Sequence, residues 1–296
     1  MRRTDRVIAA MRHPSPRVER AALLLAGLVM LASLIWILAS GRIDLTDLRW
    51  LPLAVAAVIG VPAALATNAA EFWASAWTVR APVSHRSALR TTILATAANM
   101  LPIPGGPAVR VHALQRAGVA LGLGTQVTLA IGLSWVGVGG LVAGFGASLA
   151  GVAAPLVALA GGTGVAVLVG AGTLLVRVAA PGRAGRALGL FLVIETTSVL
   201  VAAARLYLIL IALGTEAGPA AALVLAVAGI LATVVGLVPA GLGVREGLSA
   251  FLATVVAVPA ATGFAVSLVD RVIGLMVAGP VAFAVARLGD RHLASS

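Results

Sequence analysis

Two arginines occupy matching positions in two interruptions of otherwise apolar sequence. The first interruption reads Pro-Gly-Gly-Pro-Ala-Val-Arg at 104–110, and the second reads Pro-Ala-Gly-Leu-Gly-Val-Arg-Glu at 239–246. The tetrad Ile-Leu-Ala-Thr precedes both, at 93–96 and 230–233, and the spacing from Pro to Arg is the same. Inside a bilayer such a break is costly, because freed backbone groups and a charge must all find partners. Matching breaks in the two halves of a chain are typical of a central site in a repeat-built transporter.

The local chemistry of these breaks favours binding of an anion. A half-helix that begins just after Gly106 or Gly243 would point free N–H groups and a positive dipole end inward, with the arginine in its first turn. In a membrane the natural guest of such a site is a phosphate. The plainer alternative, that the glycines only break the helices, stays open. The predicted substrate-binding set is Arg110, Arg245, Arg271, Gly105, Gly106, Gly241 and Gly243.

Further charged residues lie within apolar segments, where facing lipid would cost a few kcal/mol each. They should therefore face the bundle interior, balancing or gating the binding arginines. The alternative is a set of internal ion pairs that fix helix register, such as Glu195 with Arg205, or Arg245 with Glu246. The predicted gating and charge-balancing residues are Glu71, Glu195, Glu246, Asp270 and Arg205.

The sequence contains few of the residues and motifs that enzyme catalysis requires. Cysteine is absent, and the four histidines are scattered, so neither thiol catalysis nor a histidine metal site is expected. The sequence has no nucleophile elbow, no P-loop and no paired aspartate motif for magnesium. We therefore expect no catalytic residue, metal or cofactor, and an integral-membrane lipid-modifying enzyme is the weaker interpretation.

The composition indicates the elements that must position these groups. The 296 residues are 60% hydrophobic and 10% charged, with a net charge of +11, and the mean hydropathy is +1.08. Apolar runs of about 20 residues recur along the chain, as bilayer spans require. The basic residues do not form a stripe with aromatic residues between them, the pattern typical of nucleic-acid binding. We therefore expect anionic lipid headgroups as their partners. We predict an all-α polytopic membrane bundle with spans near 21–40, 51–78, 119–147, 153–176, 187–213, 219–238, 247–258 and 262–286.

The predicted organisation is one transmembrane domain at 21–287, between a basic segment at 1–20 and a tail at 288–296. Its two related halves, about 21–147 and 153–287, each contain a broken or re-entrant element, and the first of these lies at 88–117. The basic segments fall on one side of the eight spans, which predicts a plasma-membrane protein with both termini cytoplasmic. The segment at 247–258 is too short to cross alone, and its crossing stays open.

With these residues identified, the chain resembles the flippase-like membrane family typified by the transmembrane part of lysylphosphatidylglycerol synthase. Members carry a motif near Pro-Gly-Gly-x-Gly-x-Arg-Glu, matched at 239–246, and an earlier motif near Leu-Pro-x-x-x-Gly-acid-x-x-Arg, matched at 101–110. Arg271 fits an arginine midway along the last span. Ala240 replaces the usual second glycine, and Pro107 stands where relatives often have an acid. No aminoacyl-transferring domain is found in these 296 residues, so we expect the chain not to be the synthase.

The expected function is movement of an anionic or phosphate-bearing lipid, such as a phospholipid or a lipid-linked sugar carrier, between leaflets. One alternative is an ion-coupled small-solute transporter, in which Glu195 would carry protons. Another is a non-transporting membrane partner of a glycosyltransferase. A lipid-modifying enzyme or a second copy of the chain are further expected partners, and nucleic acid is not.

Overall fold

The computed structural model describes residues 48–98, 105–235 and 243–293, together with Ala32 and Ile35. These residues form helices joined by short turns, and no strand occurs among them. The first helix contains one π-helical turn at Ala56–Gly60. The helices are α1 (Trp50–Thr78), α2 (His85–Ala98), α3 (Gly105–Arg116), α4 (Leu121–Leu149), α5 (Ala154–Val178), α6 (Ala184–Ala212), α7 (Pro219–Val235), α8 (Val244–Val255) and α9 (Ala260–Leu293).

Five of these helices are long and apolar enough to span a membrane, which makes this a multi-pass membrane protein. They are α1, α4, α5, α6 and the Ala260–Ala282 part of α9. Eight spans are not confirmed. The predicted span at 21–40 lies outside the described residues except for Ala32 and Ile35, as does the basic segment at 1–20. The predicted C-terminal tail at 288–296 is helical as far as Leu293.

One end of the bundle carries the basic turns and is called the basic end. There the N–H of Ala180 donates to the carbonyl oxygen of Thr78 at 3.0 Å, joining the ends of α1 and α5. Arg183 donates to the carbonyl of Trp77 and lies over its ring, 4.7 Å from the centroid. One buried apolar cluster fills this end and includes Phe72, Leu114, Val127, Leu175 and Phe191.

The α2–α3 pair is a hairpin whose two outer ends both lie at the basic end. His85 starts α2 only a few residues after α1 ends, and its ring lies 4.9 Å from that of Trp73. Leu114, in the last turn of α3, belongs to the basic-end cluster. The predicted break at 88–117 is therefore two helices that contact each other and return to one end, although 99–104 lie outside the described residues.

The α7–α8 pair forms a second hairpin, which starts and finishes at the other end, called the opposite end. At this end Arg49, before α1, donates its N–H to the carbonyl of Ala212 at 3.0 Å. An open cavity of about 520 Å³ there is lined by residues from the start of α7 and from the α8–α9 turn, including Ala220 and Val258. The two helices also contact each other deeper in the bundle, where Gly229 of α7 lies against the Arg245 side chain.

The predicted spans at 219–238 and 247–258 are not confirmed, and α8 answers the question of crossing that the sequence left open for 247–258. The helix α8 has 12 residues, so it is about 18 Å long at 1.5 Å per residue, against a hydrocarbon core of about 30 Å. It returns to the opposite end, where α9 begins. With 34 residues, α9 is about 51 Å long, and it packs against α2 of the basic-end hairpin. Because neither α7 nor α8 crosses the bundle, the number of crossings changes by two. The end of α9 therefore lies at the basic end, as in the eight-span prediction.

Helices α4 and α5 approach closely along a line of glycines. A Cβ at Gly140 would lie 2.9 Å from the Cα of Gly164, and one at Gly144 would lie 3.1 Å from the backbone nitrogen of Gly161. Such spacing lets two helix backbones touch in a membrane, where packing rather than water exclusion holds helices together. Helices α6 and α7 both pack against α4, and α6 also contacts α5.

Candidate functional site

The first charged cluster lies in the basic-end half of the bundle and joins α1 to α3. Arg110 donates to both carboxylate oxygens of Glu71, from Nη1 to Oε1 at 2.6 Å and from Nη2 to Oε2 at 3.2 Å. The two side chains are 19% and 12% exposed. This is the planar two-bond geometry that a guanidinium and a carboxylate or phosphate share. Arg110 lies in the second turn of α3, later than the first-turn position predicted.

Glu195 of α6 lies beside this pair and is 1% exposed. It is within electrostatic range of Glu71 and Arg110. Neither of its carboxyl oxygens has a hydrogen-bond partner among the described residues. A buried ionised carboxylate without donors is costly in a low-dielectric interior, so Glu195 is the unusual member of this Glu71 cluster.

The second cluster lies in the opposite-end half and is organised around Asp270 of α9. Arg205 of α6 donates from Nη2 to Oδ1 of Asp270 at 2.6 Å. Arg245, the second residue of α8, donates from Nη2 to Oδ2 at 2.6 Å. One carboxylate therefore holds two guanidiniums from two different helices.

Glu246 makes the second acidic contact of this Asp270 cluster. Its Oε1 lies 2.8 Å from Nε of Arg271, and its Oε2 accepts the N–H of Gly243 at 2.9 Å. Gly243 precedes α8 with a φ of +78°, a conformation that glycine adopts without strain. The carboxylate thus satisfies a free N–H at the start of α8 and lies at the positive end of its dipole.

The Asp270 cluster carries an excess of positive charge. Among the described residues, the ion pairs of Arg205, Arg245 and Arg271 involve two carboxylates, Asp270 and Glu246. Among these three arginines, Arg245 has the most exposed side chain, at 28% compared with 12% and 11%. An excess charge at this depth favours an anionic partner.

Three glycines lie against the arginine side chains of this cluster, and one of them is too close for a larger residue. A Cβ at Gly60, in the π-helical turn of α1, would lie 2.4 Å from Cγ of Arg205. Gly274 of α9 lies against Nη2 of Arg205, and Gly229 of α7 lies against the guanidinium of Arg245. A side chain at Gly60 would therefore collide with Arg205, whereas the contacts at Gly274 and Gly229 have ordinary van der Waals distances.

Every charged residue predicted for the site belongs to either the Glu71 cluster or the Asp270 cluster. Two of the suggested pairings are wrong, because Arg205 pairs with Asp270 rather than Glu195, and Arg245 also pairs with Asp270 rather than Glu246. The predicted free helix start at Gly243 is capped by Glu246. Gly105 and Gly106 are buried in the first turn of α3, and Gly241 lies outside the described residues.

Sequence reasoning missed the glycines that accommodate the arginines. Gly60 has no sequence signal, because the chain contains 34 glycines and only the tertiary contact with Arg205 distinguishes this one. The crossed pairing of α8 with α9 did have a signal. Arg245-Glu246 and Asp270-Arg271 are adjacent residues of opposite charge, and such pairs complement each other when two helices meet.

Comparison of the sequence with protein-family models and with curated proteins found no match. The resemblance to the flippase-like family therefore depends on the two motifs and Arg271 alone.

Proposed function

We propose that the protein moves an anionic or phosphate-bearing lipid between the leaflets of the plasma membrane, with both termini in the cytoplasm. The observation that carries the proposal is the net positive charge of the Asp270 cluster, in which the described residues place three arginines against two carboxylates. A lipid phosphate would supply the missing negative charge, while its acyl or prenyl chains stay in the bilayer. The motif resemblance supports the same function.

Arg245 is the arginine best suited to receive the headgroup. It has the most exposed side chain of the cluster, and its planar guanidinium can donate two parallel hydrogen bonds to a phosphate. If a phosphate takes Arg245 from Asp270, that carboxylate keeps its contact with Arg205. Binding therefore leaves no buried charge without a partner. Arg271, Gly243 and Glu246 position this end of the helix.

The two hairpins support a molecule built from two related halves. In each hairpin the Ile-Leu-Ala-Thr tetrad lies at the inner end of the first helix, in α2 and in α7. The threonines repeat the same contact, because Thr96 and Thr233 each donate to the carbonyl four residues earlier at 2.9 Å. The hairpins start from opposite ends of the bundle, as expected for inverted repeats that alternate access to a central site. Arg110 with Gly105 and Gly106 would then be the counterpart of the Arg245 site.

Lipid movement in reconstituted vesicles tests the proposal. Vesicles containing a fluorescent anionic phospholipid are treated with a membrane-impermeant quencher, and the protected fraction reports translocation. Wild-type protein is expected to expose lipid faster than protein-free vesicles, and Arg245→Ala is expected to abolish this. Arg177→Ala is the matched control, because Arg177 is exposed near the end of α5. Wild-type vesicles that match protein-free vesicles, or an Arg245→Ala rate equal to wild type, would contradict the function.

A second candidate, ion-coupled transport of a small solute, is favoured by Glu195. A buried acid in the bundle interior whose oxygens lack donors among the described residues is the kind of group that binds and releases a coupling proton. Solute uptake into the same vesicles, with no movement of the fluorescent lipid, would favour this candidate over lipid transport.

A further inference from the structure

The Glu71 cluster contains two carboxyl groups and a single cation. Arg110 is held by Glu71 through two bonds, and Glu195 lies close enough to both residues to interact with them electrostatically. Glu195 is among the largest fully buried side chains of the described residues. If Glu195 were ionised in this arrangement, the cluster would carry an unbalanced negative charge with no donor to either oxygen.

No other charged group in the described part of the chain is placed to balance Glu195. Helices α4 and α7, which pack against α6, contain no charged residue, and α1 contributes only Glu71. The one charged residue of α5, Arg177, lies near its end. On α9, Asp270 and Arg271 belong to the Asp270 cluster. On α6 itself, Arg205 belongs to that cluster too, and Arg186 is exposed in the first turn, nine residues before Glu195. Side chains after residue 286 are outside the description.

We propose that Glu195 is a proton-binding site and that it competes with Glu71 for Arg110. In the state seen here, Glu195 holds the proton and Glu71 holds the arginine. In the alternative state, the proton passes from Glu195 to Glu71, and the guanidinium of Arg110 passes from Glu71 to Glu195. Each state has one cation, one carboxylate and one neutral acid, so the exchange leaves the charge of the cluster unchanged.

The exchange links a proton to the position of a hairpin. Arg110 lies on α3, whereas its two acceptors lie on α1 and α6, so changing partner pulls the α2–α3 hairpin from one helix toward the other. Glu71 lies seven residues from the basic end of α1, and Glu195 eleven residues from that end of α6. At 1.5 Å per residue, the proton therefore moves along the bundle axis by about 6 Å. The proposal of a proton site depends only on the geometry of the Glu71 cluster. The proposal that this proton drives transport rests on the proposed lipid function.

Infrared spectroscopy of the full chain in lipid nanodiscs tests the proton site directly. The wild type is expected to show a carbonyl stretch from a buried protonated carboxyl near neutral pH. Glu195→Gln should remove this band, and the control Glu216→Gln should keep it, because Glu216 is exposed in the α6–α7 turn. A wild type without the band, or a band that persists in Glu195→Gln, overturns the proposal.

Competition between Glu195 and Glu71 for Arg110 predicts changes in the infrared band that a purely packing role of Glu195 does not. In Glu71→Gln the arginine loses its carboxylate, so Glu195 should release its proton and pair with it, and the band should disappear although Glu195 is intact. In Arg110→Gln neither acid has a cation, so the band should grow. A band that is unchanged in a folded sample of either variant overturns the competition.

Transport then separates this proposal from the proposed function. In vesicles with a pH gradient, lipid movement by the wild type is expected to change at least twofold when the gradient is collapsed, and Glu195→Gln should lose that response. A Glu195→Gln protein that still responds overturns the coupling. If wild-type protein moves no lipid at any pH, the lipid function fails, while the infrared experiments still decide the proton site.

Discussion

At the scale of single residues, Asp270 is the acid on which the opposite-end cluster depends. Its two oxygens accept one guanidinium each, from Arg205 and from Arg245. Breaking a buried ion pair by removing one partner usually strands the other charge, which is why such changes are strongly destabilising. A shared acid changes this outcome, because either arginine can leave while the acid stays paired.

Removing Arg245 and removing the charge of Asp270 should therefore have different costs. In Arg245→Ala the cluster keeps two arginines and two carboxylates, so yield and thermal stability should stay near wild type. In Asp270→Asn two arginines lose their carboxylate, and the cost should reach about 3–5 kcal/mol. Detergent-extracted yield and unfolding temperature of the two variants measure this. Equal losses in both variants would mean that Arg245 is a packing residue.

At the scale of elements, a π-helical turn in α1 shapes the path of Arg205. Single π-helical turns are rare and frequently occur at functional sites. This turn ends at Gly60, whose α-carbon lies against the stem of Arg205 on α6. The position of this stem in turn lets the guanidinium reach Asp270 on α9. The Arg205 side chain thus contacts Gly60 of α1 and pairs with Asp270 of α9, and these contacts fix the register of α1, α6 and α9.

Adding one methyl group at Gly60 should disturb this contact. Gly60→Ala would bring Cβ to 2.4 Å from Cγ of Arg205, and overpacking of this kind costs about 1–3 kcal/mol. Gly132→Ala in α4 is the matched control, since no atom lies within 4 Å of the added Cβ. Helix propensity alone should stabilise that control by about 1 kcal/mol. Unfolding temperatures in one detergent compare the two, and equal shifts would argue against the Arg205 contact.

At the scale of the whole molecule, the two hairpins determine which end of the bundle α9 reaches. The basic turns around Arg80 and Arg183 lie at one end, and α9 returns to that end. The α6–α7 turn, with Glu216 as its only charged residue, lies at the opposite end. Excess arginine favours the cytoplasmic side of a membrane protein.

Reporter fusions test this orientation. Fusions at the N-terminus, near Arg183 and at the C-terminus should all report cytoplasm, because these segments hold most of the excess arginine. A fusion in the turn at 214–218 should report the outside. An external C-terminus, with Arg183 cytoplasmic, would mean that α7 and α8 do not form a hairpin.

The sequence by itself determined the membrane class, the long spans and the residues worth attention, because hydropathy and buried charge are properties of composition and spacing. It predicted the break at 88–117, and it identified Glu71, Arg110, Arg245 and Asp270 as interior residues. The tertiary structure alone decided which charges pair. Arg205 donates a hydrogen bond to Asp270, 65 positions further along the chain. Helical periodicity cannot predict a pairing between residues on two separate helices.

The second hairpin also required the tertiary structure. Periodicity showed that 247–258 is short, but whether a short helix crosses or returns depends on what its far end packs against. Val256 and Val258 lie in one packed cluster with residues that start α7, including Ala221 and Ala222. Van der Waals packing of these side chains therefore places the end of α8 at the opposite end. Glu195 is buried without a donor to either carboxyl oxygen among the described residues. The sequence could not reveal this, because it depends on which side chains the folded chain places around Glu195.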